Sequence, residues 1–451
     1  MVKVLEHSRV SPPRGAVTEK SLVLTCFDLP WIHTFPPQSF ILFYEFPHSS
    51  SHFLEILVPD LKNSLSLALK HFFPLSGNLI LPSDPTSSMP TLSYVEGDSV
   101  QVIFAECVNH NFTDLIGNHA RNAGPFHSLV PQLSPVTRTP DSTIVPIFAI
   151  QVTLFPDSGV SVGFTKDHVL CDASTIFDFM KAWGLITKSR GENMIFASGC
   201  LPFYDRTTIR DTTEEQETSL WRVVGKIKRQ DYQAPSFPAD LVRSTFVITR
   251  NDIQRLKNMA SGAERVSSFV VVCAYMWTCL AKCYAAFNEA LHEDDVEHMS
   301  FVVNCRARLD PPLPKTYFGN CLAPCLPTIR SAILLGPDGF LTASRLIGQT
   351  IGMKLRGVLN FSVNDLSDFE ARSGQRMLGV AGSPKFNFYE IDFGWGTPKK
   401  YEVVSRNYSG TMSLMGCKDS DGGLEIGLSL PNFKMDAFTA IFFDGLKHHI
   451  P

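Results

Sequence analysis

The sequence of 451 residues lacks the cysteine pattern of a disulfide framework or of a zinc site. Its 11 cysteines are odd in number and scattered without C-x-x-C pairs, which indicates reduced thiols and a cytoplasmic protein. Blocks of lysine or arginine are also missing, and the formal net charge is −4. Because nucleic-acid binding needs a concentrated basic surface, we expect no nucleic-acid partner.

Long hydrophobic segments are missing as well. The N-terminus has no apolar stretch of the kind found in a signal peptide. The longest apolar run, 269–281, is too short to span a bilayer, so it predicts a buried helix and we expect no membrane partner. Hydrophobic residues make up 44% of the chain and charged residues 19%, which is typical of a globular protein.

The length exceeds what one hydrophobic core usually supports, so two domains are expected. Strand and helix signals alternate over 21–202, and a second mixed pattern begins near 241. Between them, 205–240 is acidic, then basic, then contains Pro235 and Pro238, which predicts an exposed crossover linker. We therefore predict an α/β protein of two mixed αβ domains of similar size, 1–204 and 241–451, joined by that linker, with a site in the crevice between them.

His168 is the first candidate for chemistry. Two apolar runs, 147–155 and 160–164, flank the turn 157–159 and predict a hairpin. After Asp172, apolar residues recur at helical spacing, so His168 is expected where a buried strand gives way to a helix. A buried core histidine is the alternative interpretation. The other H-x-x-x-D match, His110 to Asp114, lies in a polar stretch and predicts a solvated loop.

The block Asp392-Phe-Gly-Trp-Gly396 makes the His168 motif more informative. Together with His168-x-x-x-Asp172 it resembles the BAHD acyltransferases of plants. The block Tyr317-Phe-Gly-Asn-Cys321 is similar to the anthocyanin and flavonoid glycoside branch of that family. The resemblance covers the whole chain and implies two αβ domains joined by a crossover loop, with a solvent channel between them. It also implies acyl-CoA as co-substrate, a glycosylated flavonoid or anthocyanin as acceptor, and no permanently bound cofactor or metal. We expect a monomer.

The chemistry of such a transfer can be assigned to residues. An alcohol is a poor nucleophile at neutral pH and needs a base within hydrogen-bonding reach, which we predict to be His168. No covalent intermediate is needed, and no G-x-S-x-G elbow is present to form one. The oxyanion needs a donor. Trp395, on a turn flanked by Gly394 and Gly396, is either that donor or a packing residue of the channel wall.

Asp172 is expected to be structural. If the helix begins just after His168, Asp172 caps its first turn and does not orient the imidazole. The resemblance implies a salt bridge from Asp172 to an arginine of 304–308, and Arg306 is favoured over Arg308 on a strand in which both share one face. Asp392 is likewise expected to be structural, and the two glycines of its block to supply backbone freedom.

Candidates for substrate binding rest on position. Lys257 and Arg265 precede a helix that starts near Ser267 and Ser268, where CoA phosphates can bind; an ordinary helix start is the alternative. For the acceptor and acyl pocket the candidates are Trp31, His33, Phe35, Ile176, Phe386 and Phe388.

The acyl donor is predicted from the turn after the motif. Malonyl-using relatives, as the resemblance implies, carry a cation there, whereas this chain has Ile176. Burying a malonyl carboxylate without a partner is costly, so we predict a hydroxycinnamoyl donor, with malonyl-CoA as the alternative. Another CoA-thioester enzyme and a non-catalytic binding protein are the two other classes. The first needs a nucleophile near His168, for which only Cys171 is close in sequence. The second would be expected to have lost the histidine.

Overall fold

The structure is a computed structural model that describes residues 2–34, 36–209, 214–225, 240–260, 266–287, 295–357, 372, 375–404 and 410–447. The strands are β1 Val2–Val10, β2 Lys20–Val23, β3 Gln38–Glu45, β4 Asn78–Pro82, β5 Thr91–Tyr94, β6 Val100–Cys107, β7 Arg121–Asn122, β8 Thr137–Arg138, β9 Ser142–Pro146, β10 Phe148–Phe155, β11 Gly159–Lys166, β12 Leu241–Ile248, β13 Val296–Asn304, β14 Leu322–Cys325, β15 Thr328–Arg330, β16 Met377–Gly382, β17 Lys400–Val404, β18 Thr411–Gly416 and β19 Leu424–Pro431. The α-helices are α1 Trp31–Thr34, α2 Ser50–His52, α3 Val58–His71, α4 Phe112–Leu115, α5 Gly124–Ser128, α6 Ala173–Ser189, α7 Asn193–Ser198, α8 Glu214–Val224, α9 Arg250–Ala260, α10 Ser268–Ala286, α11 Ser331–Leu334, α12 Gly339–Arg356 and α13 Asn432–Lys447.

A six-stranded sheet forms the centre of the N-terminal half, in the order β1-β6-β10-β11-β3-β17. The predicted hairpin is confirmed as β10 and β11, and every residue of both strands is buried because the sheet is covered on both faces. Helices α3 and α6 pack together on this core, where the Trp183 indole nitrogen donates to the Ser64 hydroxyl at 3.1 Å. A smaller five-stranded sheet, β2-β5-β4-β9-β8, adjoins it.

The C-terminal half is built on an eight-stranded sheet in the order β14-β13-β16-β18-β19-β12-β7, with β15 paired to β13. Helix α10 lies in the core of this half and contacts α12 and α13. It is apolar and long enough to cross a bilayer by composition alone, but 78% of its most apolar window is buried in the protein. It is therefore the buried helix that the sequence predicts.

The two halves exchange strands. β17 belongs to the C-terminal half of the chain but pairs with β3, with Tyr401 opposite Leu42. In the other direction β7 pairs with β12, with Arg121 opposite Arg243. Neither sheet is complete without the other half, so the predicted boundaries at 204 and 241 separate the chain but not every structural element.

The predicted linker is helical in part, which corrects the expectation of an exposed segment throughout 205–240. Helix α8 places Leu220, Trp221 and Val224 against the N-terminal core, and the Trp221 indole nitrogen donates to the carbonyl of Ser88 at 3.0 Å. These three apolar residues are at positions i, i+1 and i+4 and therefore share one face of the helix. The charged residues of the segment made this pattern hard to recognise in the sequence. Residues 210–213 and 226–239 lie outside the described part.

Candidate active site

His168 lies in the turn that joins β11 to α6. Helix α6 begins as predicted, because the Asp172 carboxylate accepts from the backbone nitrogens of Ser174 at 3.0 Å and Thr175 at 3.5 Å. A strand fixes one end of the turn and a capped helix the other. His168 is therefore presented from a rigid frame at the boundary between the two halves.

His168 is 8% exposed, and its imidazole stacks on the indole of Trp31. Their ring centroids are 3.7 Å apart and their planes differ by 10°. Burial, and next the charge of nearby Lys166, lower the pKa of His168 well below its usual value. The imidazole is therefore neutral at pH 7, which is the form that a general base requires.

Lys166 itself is buried at the end of β11, and its ammonium donates to the carbonyl of Cys171 at 2.6 Å. Burial also lowers the pKa of Lys166. This lysine fastens the turn to the strand and supplies a positive charge beside the imidazole. The side chain of Cys171 is a weak nucleophile, because burial raises the pKa of its thiol to about 12.

Asn320 holds the same turn from the C-terminal half. Its side-chain nitrogen donates to the carbonyls of His168 at 3.1 Å and Val169 at 3.3 Å. Sequence reasoning recognised the block Tyr317–Cys321 only as a family resemblance and assigned Asn320 no role. The signal was present in that block: a polar side chain between aromatic residues and a cysteine that are fully buried.

Asp172 and Arg306 form the predicted ion pair. The two guanidinium nitrogens lie 2.6 and 3.1 Å from the carboxylate oxygens, and both side chains are less than 5% exposed. The Asp172 carboxylate also accepts from the Cys321 backbone nitrogen at 3.2 Å. Within the described residues no hydrogen bond joins Asp172 to the His168 ring, so its contacts are structural.

The strand interpretation of 304–308 is wrong in one respect. β13 ends at Asn304, and Arg306–Arg308 forms a 3-10 helix. In such a turn residues two apart do not share a face, so Arg306 is buried while Arg308 is exposed.

Trp395 lies too far from His168 to donate to an oxyanion, which corrects the first of its two interpretations. Its ring packs at 5.4 Å from Tyr44, and Tyr44 pairs with Val160 on β11. Val160 is six residues from the Lys166 end of that strand, about 20 Å at roughly 3.3 Å per residue. The block also touches α6 near Gly184, about 17 Å along the helix axis from Ala173. Trp395 is a packing residue of the N-terminal core.

The turn around Trp395 is held by Asp392. Its carboxylate accepts from the backbone nitrogens of Gly394 at 2.7 Å and Gly396 at 3.0 Å, and its other oxygen lies 2.7 Å from the Lys188 ammonium. Both glycines have positive φ, +97° and +92°, which side chains rarely adopt. The predicted structural roles of this aspartate and the two glycines agree with these contacts.

A cluster of aromatic side chains packs against α6, the helix that follows His168. Phe177, on α6, contacts Phe386 at 5.7 Å and Phe388 at 5.3 Å, and Phe388 stacks on Tyr401 at 4.3 Å. Ile176 is only 2% exposed and packs into the N-terminal core. Phe177, which sequence reasoning did not select, is therefore the residue of this helical turn that contacts Phe386 and Phe388, and these three rings are called the aromatic wall below.

The CoA candidates are only partly visible. Ser267 caps α10, and its hydroxyl accepts from the Val270 nitrogen at 3.3 Å, with Ser268 as the first helical residue. Lys257 lies in the last turn of α9, on the sequence that leads to this helix start. Arg265 and Phe35 lie outside the described residues, and His33 is placed on α1 without a described side chain.

Two surface cavities lie away from His168. One, of about 280 Å³, is between α3 and α6, and the other, of about 360 Å³, is beside residues 16–20. Among described residues no group of three metal-ligating side chains occurs.

The buried cations of the described residues each have a partner. They are Arg121 and Arg243 with Glu402, Arg206 with Asp28, Arg306 with Asp172, Lys400 with Glu425 and Asn118, and Lys166 with the Cys171 carbonyl.

Comparison with known proteins matches residues 1–443 to a family model described as the Transferase family. One relative is a malonyl-coenzyme A:anthocyanin 3-O-glucoside-6''-O-malonyltransferase of Dahlia pinnata, 42% identical over 459 residues that cover 99% of this chain and 98% of the relative. Another is a coumaroyl-CoA:anthocyanidin 3-O-glucoside-6''-O-coumaroyltransferase of Arabidopsis thaliana, 34% identical over 98% of this chain and 97% of the relative. Among solved structures, vinorine synthase superposes with a TM-score of 0.68 at 20% identity, over 97% of this chain and 96% of that one, which confirms the fold.

Proposed function

Because the chain belongs to the Transferase family of BAHD acyltransferases and is an acyltransferase, we propose that it moves a hydroxycinnamoyl group from CoA to a sugar hydroxyl of an anthocyanin or flavonoid glycoside. Relatives with either donor act on anthocyanin glucosides by name, which supports the acceptor class. The observation that carries the chemistry is a neutral, buried imidazole held at the boundary of the two halves.

His168 is the general base of this reaction. It takes the proton of the acceptor hydroxyl as that oxygen attacks the thioester carbonyl, and the tetrahedral intermediate then expels the CoA thiolate. The lowered pKa keeps the ring unprotonated at neutral pH. Stacking on Trp31 restricts the ring plane, so the nitrogen that accepts the proton keeps one direction.

The aromatic wall supports a hydroxycinnamoyl donor. The rings of Phe177, Phe386 and Phe388 form contacts of 5.3 to 6.0 Å with one another beside the helix that follows His168. A flat aromatic acyl group gains stacking and apolar burial on such a surface. Among the buried cations of the described residues, Arg121, Arg243, Arg306 and Lys400 are already paired with carboxylates.

Malonyl-CoA is the second candidate. It is favoured by the Dahlia relative, which at 42% identity is more similar to this chain than the Arabidopsis coumaroyltransferase at 34%. A carboxylate of the donor would then need a cation that is not already paired with a carboxylate of the protein.

Substrate entry follows from the position of His168 between the halves. We place a channel there, with CoA entering from the side of Lys257, Ser267 and Ser268 and the glycoside from the side of Trp31. The start of α10 offers backbone N–H groups to a phosphate, and Lys257 a positive charge. A cytoplasmic monomer remains our expectation.

The deciding experiment is a competition between coumaroyl-CoA and malonyl-CoA on one anthocyanin 3-glucoside, with products identified by mass. We expect a higher kcat/KM for coumaroyl-CoA. A clear preference for malonyl-CoA would replace the first candidate by the second. Transfer of neither group to any glycoside tested would contradict the proposed function.

A variant of the wall refines the same assay. Phe177→Arg places a cation among the aromatic rings and should shift the ratio toward malonyl-CoA. The matched control is Phe433→Arg on α13, which is 53% exposed and outside the wall. An equal ratio in Phe177→Arg and in the control would show that this wall does not contact the acyl group.

A further inference from the structure

Asp28 is a buried carboxylate that neither the motifs nor the proposed mechanism uses. Its side chain has no exposed area and lies in the segment just before α1. It accepts five hydrogen bonds from three separate parts of the chain. The donors are the Thr25 nitrogen at 3.0 Å, the Thr25 hydroxyl at 2.9 Å, the Arg206 guanidinium at 2.7 Å, the Asn320 backbone nitrogen at 3.0 Å and the Asn320 side-chain nitrogen at 3.1 Å.

Two of the groups that surround His168 bond to Asp28, one to its backbone carbonyl and one to its carboxylate. Trp31 is three residues further on, and its backbone nitrogen donates to the Asp28 carbonyl at 3.1 Å. The same indole is fixed by a bond from its ring nitrogen to the Phe27 carbonyl at 2.9 Å. The imidazole therefore stacks on Trp31, and the helical turn that carries Trp31 is bonded to Asp28.

Asn320 is the second group, and its orientation is determined by its partners. The side-chain nitrogen has three acceptors: the Asp28 carboxylate and the carbonyls of His168 and Val169. All three require a donor, so the amide cannot be turned over without losing each bond. The side-chain oxygen of Asn320 must then point the other way.

One buried atom of Asn320 and one of His168 lack partners. Among described residues, neither the Asn320 side-chain oxygen nor Nδ1 of His168 has a hydrogen-bond partner. Buried polar atoms seldom stay unpaired, because an unmade bond is costly. One is an acceptor and the other becomes a donor when Nδ1 carries the proton. A small rotation that joins them leaves Nε2 with its lone pair free.

We propose that Asp28 is a positioning residue for His168, acting through Asn320 and Trp31. Its carboxylate orients the Asn320 amide so that the amide oxygen accepts from Nδ1–H of His168, and it holds the turn that places Trp31 on the imidazole. The ring is thereby kept in the tautomer whose Nε2 can accept the acceptor's proton. This inference rests on the proposed function for its kinetic consequence, and on the structure alone for the tautomer.

A double-mutant cycle tests the relay. Asp28→Asn and Asn320→Ala should each lower kcat by roughly 10- to 100-fold, the size expected when a reacting group is misplaced by about 1 Å, with KM for acyl-CoA within about threefold. Because Asp28 acts through Asn320, the double variant should lose no more than the larger single loss. Losses that multiply, or Asp28→Asn within twofold of wild type, would overturn the proposal.

The control is Glu402→Gln. Glu402 is also a buried carboxylate at the junction of the halves, between Arg121 and Arg243, but it lies outside the His168 environment. It should lower stability and leave kcat near the wild-type value. If Asp28→Asn does not fold, Arg206→Gln, which removes a donor to the same carboxylate, takes its place in the cycle.

A spectroscopic measurement separates this inference from the proposed function. Nitrogen-15 NMR of labelled histidine, with His168 assigned by its loss in His168→Gln, should show the Nδ1–H tautomer in the wild type and a mixed or reversed tautomer in Asn320→Ala. Nε2–H in the wild type would overturn the proposal, whatever the enzyme transfers. Absence of any transfer with the expected tautomer would refute only the function.

Discussion

The Asp172–Arg306 pair allows a quantitative prediction. In Asp172→Asn the guanidinium stays buried at 4% side-chain exposure but loses the charge that balances it. Removing one partner of a buried ion pair costs roughly 3–5 kcal/mol of the free energy of unfolding. Asp172→Ala should cost about 1 kcal/mol more, because the cap of α6 is lost as well.

The double variant Asp172→Asn/Arg306→Met should regain much of that loss. It removes the unbalanced charge, and the carbonyls of Tyr317 and Gly319, which Arg306 also binds, keep contacts from the Thr175 hydroxyl at 3.2 and 3.5 Å. Urea unfolding at constant m gives the three free energies, and kcat/KM is measured on the folded fraction.

The result that would refute this reasoning is specific. Asp172→Asn with wild-type stability and a large loss of kcat, not restored in the double variant, would indicate an Asp–His dyad. A loss of stability and activity together, with both recovering in the double variant, is what a structural aspartate predicts.

Three further predictions concern single side chains. Trp395→Phe should lower the free energy of unfolding and leave kcat of the folded enzyme within a few-fold; a fall in kcat of roughly 100-fold or more, the size of a lost oxyanion donor, would contradict its placement. Burial raises the pKa of Asp178 from 3.8 to about 7, so the unfolded chain loses this proton first and stability falls as the pH rises from about 4 to 7; Asp178→Asn should raise the Tm at pH 8 but hardly at pH 4, and equal shifts at both pH values would contradict this. Because the pKa of His168 is lowered in the fold, the unfolded chain binds a proton that the native protein does not, and stability falls as the pH drops below about 6.5. His168→Gln should flatten that slope in urea titrations, and an unchanged slope would refute the burial argument.

Local patterns predicted much of the fold correctly. The hairpin of β10 and β11, the start of α6 at Asp172 and the buried helix α10 each follow from apolar periodicity and a capping residue within one segment. The pairing of β17 with β3 does not, because it joins residues more than 350 positions apart and leaves no local periodicity. The pairing of β7 with β12 was not predicted for the same reason.

In the candidate site, too, some residues were predictable from local patterns, and others depend on contacts between distant parts of the chain. His168 and the Asp172–Arg306 pair came from motifs and a resemblance, whereas Asp28 and Asn320 act through bonds across 292 positions of sequence. Trp395 was considered as an oxyanion donor because a tryptophan on a glycine turn offers an N–H wherever that turn lies in the fold. Only the register of Tyr44 with Val160 shows that this turn lies at the far end of the sheet.

The central claim is that His168 is the base for acyl transfer between the two halves. The most direct measurement compares kcat and the Kd for CoA in the wild type, His168→Gln and His110→Ala. We predict that His168→Gln loses roughly 10²–10⁴ in kcat with an unchanged Kd, as expected when general-base help is removed, and that His110→Ala matches the wild type. Turnover by His168→Gln within a few-fold of the wild type would contradict the account.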